Sequence, residues 1–311
     1  TEDTTFTLTA QYFKEDSNRS RIQKQLCAQD PTGILGCRPD KLGNEAPNGD
    51  ATLASIITSR EFLTVAGAGA LAPFALGSIY SDDGNAFSNA INPTDVRQVY
   101  IDYEPTYLSD ELIIQGELSH DFENFTVTLN GGYSDNKVDS RTDYNLTVTN
   151  DITNNPGLVA LRGAAAAGAP IAQLFASQAL FNGNQICVSE ANRNYVGFTN
   201  GEIDRCANNT TEFDRSRETN EQWSVEARIN SSFDGPFNFL LGGLYLEREA
   251  ESDYYVNASG LDYGGLLLGG GAGGFACASP RQRAAALLDE TARTAMGCAL
   301  DDRKDLGIGR V

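Results

Sequence analysis

No stretch of this 311-residue chain holds about 20 consecutive apolar residues, the length a helix needs to cross a bilayer. The two greasiest runs, Leu158 to Leu180 and Leu261 to Ala278, are rich in Ala and Gly and interrupted. A helical membrane protein is excluded. A transmembrane β-barrel is not, because its strands alternate apolar and polar residues and keep mean hydropathy low, here -0.32. Positive charge is scarce: 23 Lys and Arg stand against 42 Asp and Glu, a formal charge of -19. That deficit argues against nucleic acid as a partner, since phosphates need a cationic footprint, and no basic helix is present for anionic lipid. His120 is the single histidine and there is no CxxC pair, so a Cys/His zinc site has little material. Nucleophile elbows, phosphate loops, metalloprotease helices and EF-hand loops are missing. No catalytic residue, cofactor or metal follows, and the chain is not expected to be an enzyme. The Gly-rich run Gly264 to Gly274 lacks a strand before it and a Lys-Ser/Thr after it, so it is read as a mobile loop.

What the chain does have is period-two alternation. In the first segment Thr4, Phe6, Leu8, Ala10 and Tyr12 alternate with Thr5, Thr7, Thr9 and Gln11. Leu112, Ile114, Gly116 and Leu118 alternate with Glu111, Gln115, Glu117 and Ser119, and Phe125, Val127, Leu129, Gly131 and Tyr133 with Thr126, Thr128, Asn130, Gly132 and Ser134. Trp223, Val225, Ala227 and Ile229 stand opposite Gln222, Ser224, Glu226 and Arg228. A fifth segment, Phe237 to Tyr245, is apolar on both faces. The expected fold is all-β: an antiparallel up-and-down transmembrane β-barrel segment of about five long strands, with long loops containing short helices. The strands are placed at about 4–13, 96–119, 125–149, 220–233 and 237–256. The second and third change phase once each, at Pro105 and before Tyr144, which predicts a β-bulge in each.

Connections fall into two classes. His120 to Asn124 and Asp234 to Pro236 are tight, whereas 14–95, 150–219 and 257–311 are long. A compact soluble domain seldom carries such loops. Short turns facing the periplasm and long external loops are what a barrel supplies. Phe122, Phe125, Phe233 and Phe237 surround the tight turns, and Tyr133, Tyr245 and Trp223 recur eight to ten residues along the strands. That spacing suits two aromatic girdles, and equally the aromatics of a sandwich core.

Within the loops, Asp50 is placed to cap a helix through Leu63, Leu158 to Leu180 reads as a helix, and Ser279 with Pro280 opens another. Six cysteines in loop-like sequence suggest an oxidising compartment, and neighbourhood suggests the pairs Cys27–Cys37, Cys187–Cys206 and Cys277–Cys298, though many connectivities remain open. The acidic runs Asp82-Asp83 and Asp301-Asp302 fit either calcium or solvent. Tyr254, Tyr255, Asp262 and Tyr263 are the candidate ligand residues, with loop packing as the other explanation.

Trp223 to Val256, with Glu226 and Arg228 on an inward strand, a Gly-containing turn, and Gly242, Gly243 and Tyr245 on the next strand, resembles the barrel domain of TonB-dependent outer-membrane receptors. Leu108 to Tyr133 looks like a second such hairpin. The resemblance covers roughly a hundred residues of strand, and implies a plugged barrel of roughly 22 strands. It also implies active uptake of a scarce ligand (a metal chelate, vitamin or carbohydrate) at the bacterial cell outer membrane. The implied partners are the remainder of the barrel and the plug, the TonB energy-transducing complex acting through that plug, outer-membrane lipid and an external small ligand. No plug, TonB box or terminal aromatic is seen, and five strands cannot close a barrel. The chain is therefore expected to be an incomplete gene product or an excerpt of a barrel. The alternative is a secreted extracellular β-rich adhesin or assembly subunit, in which the alternating faces pack against a second sheet.

Overall fold

The computed structural model describes residues 3–22, 28–32, 37–38, 43, 53–81, 84–87, 93, 95, 97–168, 181–190 and 202–269. Cys27, Cys277, Cys298, the Cys37 side chain, both acidic runs and the helix expected from Pro280 lie outside that description. The protein is β-rich. β1 (Thr4–Ser17), β4 (Thr106–Asp121), β5 (Phe125–Asp143), β9 (Glu212–Ser231) and β10 (Leu240–Ala258) form one five-stranded sheet in the order β1-β4-β5-β9-β10. The other strands are short: β2 (Ala28–Gln29) pairs β3 (Cys37–Arg38), and β6 (Phe181–Asn182), β7 (Gln185–Glu190) and β8 (Glu202–Ala207) make a three-stranded sheet. Helices are few and short: α1 (Leu53–Ile57), α2 (Arg60–Val65), a 3-10 turn at Gly69–Phe74, α3 (Pro156–Ala166) and α4 (Ser259–Gly269). None among the described residues is long and apolar enough to cross a membrane. The sheet does not close into a barrel, and β1 and β10 are its edges.

Register assigns each side chain to a face. Phe6 pairs Leu118, which pairs Leu129; Ala10 pairs Ile114, which pairs Tyr133; Thr7 pairs Glu117, which pairs Asn130. Since directly paired residues share a face, the alternation in three strands lines up as one apolar and one polar surface. A one-residue slip would mix the two. β4 and β5 join through a tight turn closed by the Phe122 N–H donating to the Phe125 carbonyl at 2.8 Å, and β9 and β10 through one closed by Ser231 and Phe239 at 2.9 Å.

Two strand ends differ from expectation, and for a chemical reason. β4 starts at Thr106, directly after Pro105, and β5 stops at Asp143, so each change of phase is a strand end in place of the bulge read from the sequence. The Asp143 carboxylate accepts the Asp102 N–H at 3.0 Å and the Tyr103 N–H at 3.3 Å, taking donors that a longer β4 would give to its ladder. It also accepts the Leu146 N–H at 2.6 Å, which turns the chain sharply, and Leu146 adopts φ 56. Conversely, β9 begins at Glu212, earlier than the expected 220, β1 runs on to Ser17, and β10 spans Leu240–Ala258. The expected helix through Leu63 is broken at Thr58 and Ser59. There Ser59 caps α2 by accepting the Phe62 N–H at 3.1 Å. Residues 259–269, whose second half belongs to the Gly-rich run read as loop, are helical.

The chain divides into a sheet unit (Thr1–Arg21, Pro105–Arg141, Arg215–Tyr254) and a loop unit (Ile22–Glu104, Thr142–Asp214, Tyr255–Val311). Every hydrophobic residue that is buried among the described ones belongs to the loop unit. Its core joins Ala54, Leu63, Leu76, Phe87, Ile152, Leu158, Leu161, Ile186, Tyr263 and Leu267. Asn155 organises one corner: its Oδ1 caps α3 through the Gly157 and Leu158 N–H groups, while its Nδ2 donates to the Leu76 and Gly84 carbonyls. A Cβ on Gly157 would lie 2.0 Å from the Ala75 carbonyl oxygen, so only glycine lets the two backbones meet. β7 and β8 are tied by the Cys187–Cys206 disulfide, whose residues are direct cross-strand partners.

Candidate functional site

The sheet unit presents a face that nothing in it covers. Phe6 is 66% exposed, Leu8 63%, Tyr12 64% and Leu241 65%. Ile114, Leu118, Leu129, Trp223, Val225 and Tyr245 are exposed too. β10 was apolar on both faces in sequence, and Leu240, Leu244 and Leu246 are also exposed. Five strands about 4.8 Å apart and eight residues of about 3.3 Å rise make this a patch of roughly 500 Å². An antiparallel sheet usually has its apolar side covered, and a bare apolar patch of this size marks an interaction surface.

Aromatic side chains bound the patch. At the tight turns, Phe122 stacks on Phe125 at 4.5 Å and meets the His120 ring edge-on at 4.4 Å, while Phe237 and Phe239 lie 6.5 Å apart. At the other limit Trp223 and Tyr245 lie 5.0 Å apart, and the Tyr133 hydroxyl donates to Glu221 at 3.3 Å. The Tyr12 hydroxyl donates to Asp110 at 2.8 Å. An apolar ring body with a polar tip suits a boundary between hydrocarbon and water. Past that level the same face turns ionic: Lys137 pairs Asp135 at 2.9 Å, and Arg215 grips Asp139 through two hydrogen bonds of 3.0 and 2.6 Å. The opposite face is polar, with the Asn130 amide donating to Glu226 at 3.2 Å.

The four candidate ligand residues fall into different surroundings. Tyr254 is exposed, with the Arg21 guanidinium 5.9 Å from its ring centre, and Tyr255 is half-buried. Asp262 and Tyr263 are interior. The Asp262 carboxyl accepts the Ser189 N–H and hydroxyl, both at 2.7 Å, and burial pushes it well above the ordinary carboxylate range despite those two donors. The Tyr263 hydroxyl donates to the Phe74 carbonyl at 2.6 Å, and burial raises its pKa. Their polar atoms serve the fold of the loop unit, α4 being held to β7 and to the 3-10 turn.

A second constellation, outside the apolar band, was not anticipated. Asp102 and Asp143 lie 41 positions apart, Asp102 half-buried and Asp143 buried, and are joined by the Asp102 N–H donating to the Asp143 carboxyl at 3.0 Å. The Asn209 amide donates to the Asp102 carboxyl, and the Arg205 guanidinium donates to the Asp102 carbonyl. Tyr103 stacks on Phe213 at 4.2 Å, and its hydroxyl reaches Asp204 at 3.5 Å. Burial first, and the nearby Glu212, push Asp102 up to about 6, against the pull of Asn209 and Arg205. Burial and then Asp102 push Asp143 up to about 7, against its three backbone donors. No spacing rule exposes such a pair; the sole trace in sequence is that an Asp stands at each break in strand phase. Among the described residues, no three His, Cys, Asp or Glu are placed to hold a metal ion.

Compared with known proteins, the chain matches no family model, no curated protein and no solved structure.

Proposed function

We propose that the five-stranded sheet is part of the wall of a TonB-dependent outer-membrane receptor, a bacterial barrel that takes up a scarce external ligand with energy from an inner-membrane complex. The bare apolar face carries this reading: it faces lipid, and the polar face with Asn130 and Glu226 lines the interior of the barrel. The stretches that span lie between the two aromatic levels, about Phe125 to Tyr133 in β5. Eight residues of about 3.3 Å rise, tilted by about 40°, cover roughly 20 Å, close to the apolar band of such barrels.

Connectivity supports the same reading. The long connections leave and rejoin the sheet at the Ser17, Thr106, Asp143, Glu212 and Ala258 ends, and the tight turns lie at the other end. Long segments on one side and short ones on the other fit external loops and periplasmic turns. The positions of β1 and β10 as the two edges of the sheet among the described residues fit neighbours supplied by the remainder of the barrel. The long connections then belong to the external side, where a small ligand first binds, and the plug, with the energy-transducing complex acting on it, completes the transporter.

Fractionation tests the proposal. The protein is expected in the outer-membrane fraction, resistant to an alkaline wash and released by detergent. Trp223, the single tryptophan of this chain, is expected to lose fluorescence to nitroxide-labelled lipid. Recovery in aqueous extract without detergent would overturn it in favour of the secreted adhesin. Unchanged ligand uptake in cells lacking the energy-transducing complex would remove the receptor assignment while leaving a membrane barrel.

A further inference from the structure

Where β5 ends, the Tyr144 N–H donates to the Glu212 carbonyl at 3.1 Å, which sets these two residues opposite each other. Two residues back along β5 and two forward along β9, Thr142 stands opposite Asp214, so Thr142, Glu212 and Asp214 share one face. Asn145, in the turn after β5, reaches the same place, because its amide nitrogen donates to the Glu212 carboxyl. All four side chains are enclosed: Thr142 is 0% exposed, Asn145 6%, Glu212 7% and Asp214 2%.

The Thr142 hydroxyl and the Asn145 amide oxygen meet no hydrogen-bond partner among the described residues. Burying a polar atom without a partner is unfavourable, and two such atoms beside the same pair of carboxyls point to an occupant. The Asn145 amide nitrogen is engaged by Glu212, so the site presents lone pairs, and its two carboxyls repel an anion. A water molecule has two hydrogens to give, fewer than the four groups around it, whereas a cation takes a lone pair from each. Among the described residues no third acidic residue, histidine or cysteine completes a metal-holding group, so the set is hard and oxygen-only. That suits calcium, which takes about six to eight oxygens in adaptable geometry and completes its shell with water. Zinc sites favour nitrogen and sulfur, and magnesium demands a near-ideal octahedron.

We propose that Thr142, Asn145, Glu212 and Asp214 hold a calcium-class cation that pins the turn after β5 to the first residues of β9. The site lies wholly within the loop unit and does not depend on what covers the apolar sheet face. Four protein groups with water as the remainder make a weak site, in the roughly 0.1–1 mM class of extracellular modules.

The test titrates the intact protein in detergent, stripped with a chelator, with terbium, which takes the same oxygen ligands and is excited by a nearby tyrosine. Tyr144, opposite Glu212, supplies that ring. Sensitised emission that calcium displaces is expected. Asp214→Asn and Thr142→Val should each raise the half-saturating terbium concentration, the first by at least about tenfold, what losing even an outer partner of a metal costs. Asp151→Asn, which alters an exposed carboxylate of the same unit, should leave it unchanged. In thermal denaturation of the loop unit, about 10 mM calcium is expected to shift the folding equilibrium by roughly tenfold to a hundredfold, and magnesium by far less. If Asp214→Asn fails to fold, Thr142→Val decides. Without calcium it should be at least as stable as the wild type, having lost a buried unpartnered hydroxyl, and with calcium less stable. No displaceable emission, an unchanged midpoint in both Asp214→Asn and Thr142→Val, or equal stabilisation by magnesium would overturn the site.

Discussion

Leu129 is the position where the lipid-facing proposal is most exposed to refutation. It lies four residues from Phe125 and four from Tyr133, in the middle of the band, flanked by its partner Leu118, and is 44% exposed. Replacing it with Arg puts a charge at the centre of the apolar face. If lipid covers that face, the cost is about 2–4 kcal/mol, the range for Arg near a bilayer midplane in a barrel. At 1.4 kcal/mol per factor of ten that is roughly 30-fold to 1,000-fold in the folding equilibrium. If water covers it, an exposed Leu→Arg change stays within about 0.5 kcal/mol. The neighbour Asn130 points to the opposite face and donates to Glu226, so Asn130→Arg gains a carboxylate partner and is the control. Reversible urea unfolding in lipid vesicles, followed by Trp223 fluorescence, measures both variants. A loss of about 2 kcal/mol or more for Leu129→Arg with little change for Asn130→Arg is expected. Equal effects on the two faces, or no effect at Leu129, would refute the assignment of the faces.

The loop unit offers two further checks. Cys187 and Cys206 close a loop with a sequence separation of 19, and losing that bridge by Cys187→Ser with Cys206→Ser is expected to cost about 3 kcal/mol, read as a fall in the loop unit's denaturation midpoint. Two glycines of α3 should respond oppositely to alanine: Gly157→Ala drives a Cβ against the Ala75 carbonyl at 2.0 Å and should destabilise by about 1–3 kcal/mol. Gly163→Ala meets nothing within 4 Å and should stabilise, by up to about 1 kcal/mol of helix propensity. Thermal denaturation of the two single variants tests the sign.

Much of the sheet was legible in the chain because alternation is a local property. Phe6, Leu118 and Leu129 sit on the apolar parity of their strands before any pairing is known, and register brings them side by side. The two tight turns were legible for the same reason. Strand ends were less so. Residues 99–103 alternate as a strand would, yet the Asp102 and Tyr103 N–H groups go to a carboxylate 40 or more residues away. The stretch from Glu212 to Thr219 is charged on both parities and has Phe213 as its one apolar residue, so it carries no apolar alternation, although it is strand. Asp262 and Tyr263 were candidates because polar and aromatic residues near a loop look available. Only their burial against Ser189 and Phe74 shows where their polar atoms are used.

The sequence alone determined that no run is apolar and long enough to cross a membrane as a helix, that four segments alternate with period two and a fifth is apolar on both faces, and that short and long connections take turns, since composition, parity and spacing require no knowledge of partners. Tertiary structure decided the rest. It showed that the apolar parities join into one face without a core beneath it, which depends on register. It put the hydrophobic interior in the long connections, which depends on how Leu63, Leu158, Ile186 and Tyr263 meet. It also brought Asp102 to Asp143, a contact made by chain reversal and by the strong demand of buried N–H groups for an acceptor.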